Sequence, residues 1–132
     1  MAARHASLSW TSVIHPTAIV SPTADLSPGC FIAAGTIIGF RARVGVHAII
    51  NSGAQLDHDG VLADGAQLAP GAILGGAVSV GAWAFIGLGA RIRDHLRIGE
   101  GATVGMGAVV LADVAPRTMV YGIPARPVGS EP

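Results

Sequence analysis

The feature that most constrains this chain is an aliphatic residue at every sixth position, held in one phase for seventeen repeats. A six-residue period does not fit an amphipathic helix, and simple strand alternation would not hold one phase over this length. The repeat therefore has to be explained before any single element is predicted. The aliphatic positions are Ile14, Val20, Leu26, Ile32, Ile38, Val44, Ile50, Leu56, Leu62, Leu68, Leu74, Val80, Ile86, Ile92, Ile98, Val104 and Val110.

A second column, four residues after the first, is made mostly of small residues. Glycine often follows the aliphatic residue directly, as in Gly39, Gly45 and Gly75, and it suits turns and tight backbone approach. Each hexad thus encodes a short strand and a bend. The second column is Ala18, Ala24, Cys30, Thr36, Ala42, Ala48, Ala54, Gly60, Ala66, Ala72, Val78, Ala84, Ala90, Leu96, Ala102, Ala108 and Val114.

Three hexads make one triangular coil, so that residues 18 apart stack as parallel strands about 4.8 Å apart. This predicts an all-β fold, a parallel β-helix of nearly six triangular coils over residues 14–115. Residues 1–13 would form an N-terminal segment, and residues 116–132 a tail, because Pro116 falls on the next aliphatic position. Aromatic residues make up only 5% of the chain and glycine occurs 19 times, which fits a core of small and branched aliphatic side chains.

Composition excludes several classes of function. Eight arginines and no lysine balance eight acidic residues without a run of like charge, so we expect no nucleic-acid partner. No apolar stretch is long enough for a signal peptide or a membrane span, so we expect a cytoplasmic protein with no membrane partner. Cys30 is the single cysteine, which rules out an internal disulfide and a cysteine zinc cluster and predicts a small buried thiol.

The flat outer faces of the predicted coil would carry exposed apolar side chains. Ile49, Ile73, Phe85 and Val109 all fall on outward positions of the repeat. Packing three prisms side by side would cover such faces, which predicts a homotrimer.

One of the five histidines stands in a context that suits chemistry. His58 lies between Asp57 and Asp59, at a turn in the middle of the stack. An adjacent carboxylate holds the imidazole in one tautomer and makes it a better base. From residue types alone, general-base chemistry and a structural hydrogen bond both remain open for His58.

The other four histidines are expected to have no catalytic part. His5 falls in the N-terminal segment, which we expect to be mobile, and His15 stands next to Pro16 in the first coil, where a structural role is expected. His47 and His95 occupy outward positions of ordinary hexads and are interpreted as surface residues.

The phase of the repeat resembles the hexapeptide-repeat family of left-handed β-helices. Residues 51–76 resemble the sialic-acid O-acetyltransferase and sugar-nucleotide N-acetyltransferase branch: an Asn and a small pair, then an acid-His-acid run, then Pro-Gly and Gly-Gly pairs. Residues 122–126 resemble the closing loop of the family. The left hand is implied by this resemblance alone, since parallel crossovers are usually right-handed.

The resemblance also implies an activity and partners. It implies a homotrimer that uses acetyl-CoA as co-substrate, without a metal, and a small-molecule acceptor, an amine or hydroxyl of a sugar or sugar nucleotide. His58 would be the general base and Asp59 would raise its basicity. The backbone N–H near Gly76 would donate to the oxyanion of the tetrahedral intermediate. A preorganised donor of this kind stabilises the transition state by about 3 kcal/mol.

Cofactor contacts carry over by position as well. Gly76, Leu88 and Met106 match backbone positions that bind acetyl-CoA in relatives. Met106 stands where Gly or Ala is usual, which leaves the backbone contact open but would crowd the cofactor channel. Gln67 stands where several relatives have a second histidine that touches the cofactor. An amide at position 67 still donates a hydrogen bond but does not titrate.

The sequence differs from this branch in the part that binds the acceptor. Relatives hold the sugar nucleotide with a small N-terminal α/β domain, and residues 1–13 are too few to form one. Since remote binding energy helps to position a reacting group, these 132 residues are expected to bind acetyl-CoA readily and nucleotide sugars weakly.

Two other functions share the predicted fold. A γ-carbonic anhydrase would hold zinc through two histidines five residues apart and a third from another coil, but positions five residues from His58 are Gly53 and Ala63. A non-catalytic trimeric scaffold would need neither the acidic neighbours of His58 nor the closing loop.

Overall fold

The structure, a computed structural model, describes residues 9–128 as strands and turns without a helix. Within these residues, therefore, no helix is long and apolar enough to cross a membrane. In chain order the strands are β1 (Val13–Ile14), β2 (Ile19–Val20), β3 (Asp25–Leu26), β4 (Phe31–Ile32), β5 (Ile37–Ile38), β6 (Arg43–Val44), β7 (Ile49–Ile50), β8 (Gln55–Leu56), β9 (Val61–Leu62), β10 (Gln67–Leu68), β11 (Ile73–Leu74), β12 (Ser79–Val80), β13 (Phe85–Ile86), β14 (Arg91–Ile92), β15 (Arg97–Ile98), β16 (Thr103–Val104), β17 (Val109–Val110), β18 (Met119–Gly122) and β19 (Ala125–Pro127).

The predicted triangular coil is confirmed. Each strand from β1 to β17 has two residues and ends on a predicted aliphatic position. Partners lie 18 residues apart, so that Leu68 pairs with both Ile50 and Ile86. The strands form three parallel sheets, which we call face A (β1, β4, β7, β10, β13, β16, β18), face B (β2, β5, β8, β11, β14, β17) and face C (β3, β6, β9, β12, β15).

The core is the column of aliphatic residues inside the coil. From Ile32 to Val110 these side chains are at most 3% exposed, and small residues such as Ala42 and Ala54 fill the corners between them. Ile14 is 46% exposed, because β1 pairs with β4 on one side only. Cys30 is buried, as the sequence predicts.

The turns hold a feature that the glycine pattern did not predict. Every sixth residue from 29 to 107, the third after each aliphatic position, has a positive φ, and six of these residues are not glycine. The glycines directly after the aliphatic residue serve close approach instead: a Cβ on Gly39 would come within 2.7 Å of the backbone nitrogen of His58. The non-glycine residues at positive φ are Arg41, His47, Asp59, Ala77, Trp83 and His95.

The outward side chains differ from face to face. Face A carries Phe31 and Phe85, which are 42% and 40% exposed, and face B carries Ile37, which is 40% exposed. Of the four apolar side chains predicted to be exposed, only Phe85 is; the three on β7, β11 and β17 are half-buried between their neighbours along the sheet. Face C is mostly polar, with Arg43 and Ser79 among its outward residues.

The repeat changes phase near its end. Val114 forms a parallel bridge with Ile98, and Val120 pairs with Val104, so the partners are 16 residues apart and not 18. Val114 therefore takes an inner strand position and not the small-residue position predicted for it. Strand β18 extends face A and folds back antiparallel onto β19. The division between coil and tail at residues 115 and 116 stays a prediction.

Candidate active site

His58 lies at one corner of the prism, in the turn that joins β8 of face B to β9 of face C. We call this the BC corner; it comprises the stacked turns 39–42, 57–60, 75–78 and 93–96. Asp57 Oδ1 accepts the backbone N–H of His58 at 2.7 Å, and the backbone carbonyl of Asp57 accepts the N–H of Gly60 at 3.1 Å, which closes the turn. Asp59 has a φ of 59°, a left-handed conformation that Asp tolerates better than most residues. The two flanking carboxylates thus have different tasks.

The carboxylate of Asp59 contacts the imidazole directly. Its Oδ2 lies 3.0 Å from Nδ1 of His58, and its Oδ1 accepts a hydrogen bond from Nε of Arg41 at 3.0 Å. Because an ionised carboxylate only accepts hydrogen bonds, Nδ1 carries the proton that bonds to Asp59. In the neutral ring this leaves Nε2 with a free lone pair, which is the form that a general base needs.

Gly76 lies directly against the imidazole, one coil further along. A Cβ built on Gly76 would overlap Nε2 and Cε1 of His58, so only glycine leaves room for the ring in this position. Gly76 is buried, and its backbone N–H has no hydrogen-bond partner among residues 9–128. A buried free donor beside a base is the arrangement that an oxyanion site requires.

Electrostatics favour a proton-accepting histidine. The hydrogen bond to Asp59 is the main cause that raises the pKa of His58 above its ordinary value, and the charge of Asp57 adds to it, while Arg41 opposes it. The pKa of Asp59 is lowered by its hydrogen bonds to His58 and then to Arg41. His58 is half exposed, with 54% of its side chain open to solvent, so substrate can reach it.

Leu88 and Met106 lie at a different corner. They are stacked in the turns between faces A and B, which we call the AB corner (residues 33–36, 51–54, 69–72, 87–90 and 105–108), and are 50% and 74% exposed. With Phe85 and Tyr121 they line a mainly apolar cavity of about 320 Å³. Neither backbone N–H has a hydrogen-bond partner within the described part of the chain, so both can bind a ligand.

The structure therefore brings together only part of the predicted site. His58, Asp59 and Gly76 meet at the BC corner. Gln67 points outward from β10 on face A, and Leu88 and Met106 lie at the AB corner, with face B between the two groups. Sequence reasoning missed Arg41, although its position 18 residues before Asp59 places it directly beside Asp59 in the stack.

The remaining histidines have local partners. Nδ1 of His15 accepts hydrogen bonds from the backbone and hydroxyl of Thr17, a structural role as predicted. The ring of His47 meets Trp10 edge to face at 4.7 Å. His95 is exposed and forms a 2.7 Å pair with Asp94, a carboxylate partner that the sequence analysis did not predict. His5 lies outside the described residues.

No protein-family model and no curated protein matches the chain. Solved structures do match it. A histidine-to-alanine mutant of GDP-perosamine N-acetyltransferase from Caulobacter crescentus, in complex with CoA and GDP-perosamine, is 40% identical with a TM-score of 0.94, over 97% of this chain and 61% of that one. The acetyltransferase domain of PglB from Neisseria gonorrhoeae, in complex with acetyl coenzyme A, is 33% identical with a TM-score of 0.91, over 96% and 62%.

A third match is WeeI from Acinetobacter baumannii, 31% identical with a TM-score of 0.86 over 89% of this chain and 57% of that one. The chain closely matches the β-helix domain of these hexapeptide-repeat acetyltransferases. The left-handed coil that the resemblance implied is supported by these matches. This hexapeptide-repeat domain spans about three fifths of the length of the matched structures, as the 61%, 62% and 57% coverages show.

Proposed function

We propose that this chain catalyses acetyl transfer from acetyl-CoA to an amine or hydroxyl of a sugar or sugar nucleotide, with His58 as general base. The observation that carries the proposal is the imidazole held by Asp59 at Nδ1, with its Nε2 edge lying against buried Gly76, whose N–H has no hydrogen-bond partner among the described residues. Solved relatives bind CoA, acetyl coenzyme A and GDP-perosamine, which supports both the co-substrate and the class of acceptor.

The proposed step needs one base and one oxyanion donor. The acceptor amine attacks the thioester carbonyl carbon as Nε2 of His58 takes its proton, and the N–H of Gly76 binds the oxyanion that forms. Collapse of the intermediate breaks the carbon–sulfur bond and releases coenzyme A, which leaves as the thiol after it receives the proton from His58. Transfer is direct, because the thiol of Cys30 is buried in a different corner.

The test of this function is acceptor-dependent thiol release. Acetyl-CoA and GDP-perosamine, the sugar nucleotide bound in a solved relative, should give one free thiol per acetylated sugar, identified by mass spectrometry, because the amine is the nucleophile. The same nucleotide sugar with a hydrogen in place of the amine should release none. Thiol release at equal rates with both sugars would show hydrolysis and would contradict the proposal.

A pH profile tests the base. Only the neutral imidazole accepts a proton, so kcat/KM should fall as the pH falls through the raised pKa of His58. Asp59→Asn removes the main cause that raises this pKa, so the acid limb should move to lower pH, while the plateau falls by less than in His58→Ala. An acid limb that stays in place in Asp59→Asn would show that another group controls it.

We further propose a homotrimer in which the groove between two subunits holds the substrates. Within one chain, His58 and the Leu88–Met106 turns occupy different corners, and a groove between two copies would bring one corner of each subunit to the same co-substrate. The exposed aromatic residues of face A supply an apolar contact surface, whereas face C is polar. The proposed partner is therefore another copy of this chain.

Sedimentation tests this assembly. The wild-type chain should sediment as a trimer at micromolar concentration. Phe31→Glu would place a charge on face A and should shift the protein towards monomer with loss of activity, because burial of an unpaired charge is unfavourable. Ser79→Glu on face C is the matched control and should remain trimeric. A monomeric and active wild type would contradict the shared groove.

A further inference from the structure

Arg41 contacts the carboxylate that holds His58, and it comes from the preceding coil. Residues 41 and 59 occupy equivalent turn positions 18 residues apart, both at positive φ. Nε of Arg41 donates to Oδ1 of Asp59 at 3.0 Å, and its Nη2 lies 3.5 Å from Oδ2. Oδ2 then lies 3.0 Å from Nδ1 of His58. Arginine, carboxylate and imidazole thus form one continuous chain of hydrogen bonds.

Arg41 is itself held on two sides. Its backbone N–H donates to Oγ1 of Thr23 at 2.9 Å, which fixes the turn from which the side chain departs. Its guanidinium carbon lies 4.6 Å from the centre of the Phe40 ring, within the range of a cation–π contact. The side chain therefore approaches Asp59 from a defined direction although it is well exposed.

The geometry suits positioning better than stabilisation. The side chains of Arg41 and Asp59 are 63% and 37% exposed, and ion pairs exposed to this degree contribute little to the free energy of unfolding. What the contact does determine is the orientation of the carboxylate. Arg41 contacts Oδ1 at 3.0 Å and Oδ2 at 3.5 Å, and in this orientation Oδ2 accepts the proton on Nδ1 of His58 at 3.0 Å.

We propose that Arg41 is a positioning residue for His58, an inference that rests on the proposed function: through Asp59 it holds the imidazole in the tautomer whose Nε2 is free to accept a proton. The charged groups that face His58 are Asp57 and Asp59 of its own turn and Arg41 of the preceding coil. The following coil contributes Gly76 and Ala77, neither of which titrates.

The direct test is the tautomer of neutral His58, read from its ring nitrogen shifts in ¹⁵N-labelled protein, with His58→Ala to assign the signals. Wild type should show the Nδ1–H form. Arg41→Gln should move the population towards Nε2–H, and Arg41→Lys should restore part of it because a single cation still pairs with Oδ1. Arg43→Gln, two residues along the same coil, is the control and should change nothing.

Kinetics provide the second reading. Arg41→Gln should lower kcat roughly tenfold, the lower end of the loss seen when an outer hydrogen-bonding partner is removed from a site, with an unchanged KM for acetyl-CoA. In the His58→Ala background, Arg41→Gln should have no further effect. An unchanged tautomer in Arg41→Gln would overturn the positioning role even if acetyl transfer is found. A shifted tautomer in a protein without transferase activity would instead contradict the proposed function.

Discussion

Replacement of His58 by alanine should lower turnover at least about a hundredfold, the usual scale for a lost general base. The reason is that the three heavy atoms nearest to a Cβ built on Gly76 all belong to the imidazole of His58. Affinity for coenzyme A should stay nearly unchanged, because the proposed cofactor turns lie at the AB corner. Thiol release measures turnover, and calorimetry with coenzyme A measures affinity.

His95→Ala is the matched control for this variant. His95 also pairs with a neighbouring carboxylate at the BC corner, but it follows Asp94, and it contacts Gly76 through its backbone N–H, which donates to the Gly76 carbonyl at 2.9 Å. The imidazole nearest to a Cβ built on Gly76 is that of His58. Alanine already occupies the same left-handed turn position at Ala77, so the substitution fits the backbone. Equal activity in wild type and His58→Ala, or an equal loss in His95→Ala, would place the chemistry elsewhere.

Gly76→Ala should lower turnover by a similar factor, at least about a hundredfold, although it removes no functional group. The added Cβ would occupy the space of Nε2 and Cε1, so the imidazole has to leave its position against Gly76. Gly76 does not have a positive φ, so alanine introduces no backbone strain. Turnover and thermal unfolding should be measured together, with unfolding close to wild type.

A double variant separates this displacement from a general fault in folding. If Gly76→Ala acts only through the ring, then His58→Ala/Gly76→Ala should be no less active than His58→Ala alone, since the space that the Cβ needs is already empty. A further drop in the double variant would show that the geometry of the Gly76 N–H is itself disturbed. Full activity in Gly76→Ala would contradict the observed contact as a catalytic arrangement.

The architecture could be predicted from the sequence because one period governs the whole coil. The inner aliphatic positions fix the strands, and the 18-residue stacking fixes every partner. The conformation of the turns could not be read in the same way. Gly29 and Asp59 share a left-handed turn position, and no single residue type marks it, because the stacked coils hold even Trp83 there. The two-residue shortening before Val114 was missed because valine fits either column of the repeat.

The candidate site was predicted in part for a related reason. His58 and Asp59 are neighbours in sequence, so their pairing could be anticipated from residue types. Arg41 and Gly76 reach the same site from other coils, and their signal lies in the 18-residue register: 41 precedes 59 by one coil, and 76 follows 58 by one coil. Applying that register to outward residues as well as inner ones would have found both. The register does not predict contacts between side chains that are adjacent in sequence, such as the Asp94–His95 pair, because these depend on the side-chain rotamers.

The register of the coil also limits how the length of this chain can change. Each hexad turns the backbone by one third of a revolution, so insertion or loss of a single hexad between Asp59 and Gly76 would rotate all later residues to another corner. Only whole coils keep an angular position, and even one added coil would separate His58 from Gly76 along the axis. An insertion that alters the strands between these two residues would therefore disrupt the site. Length can vary in this segment only through loops that bulge outward from a turn. The shortened turn before Val114 is compatible with the BC-corner site because it lies after Arg41, His58, Asp59 and Gly76 in the chain.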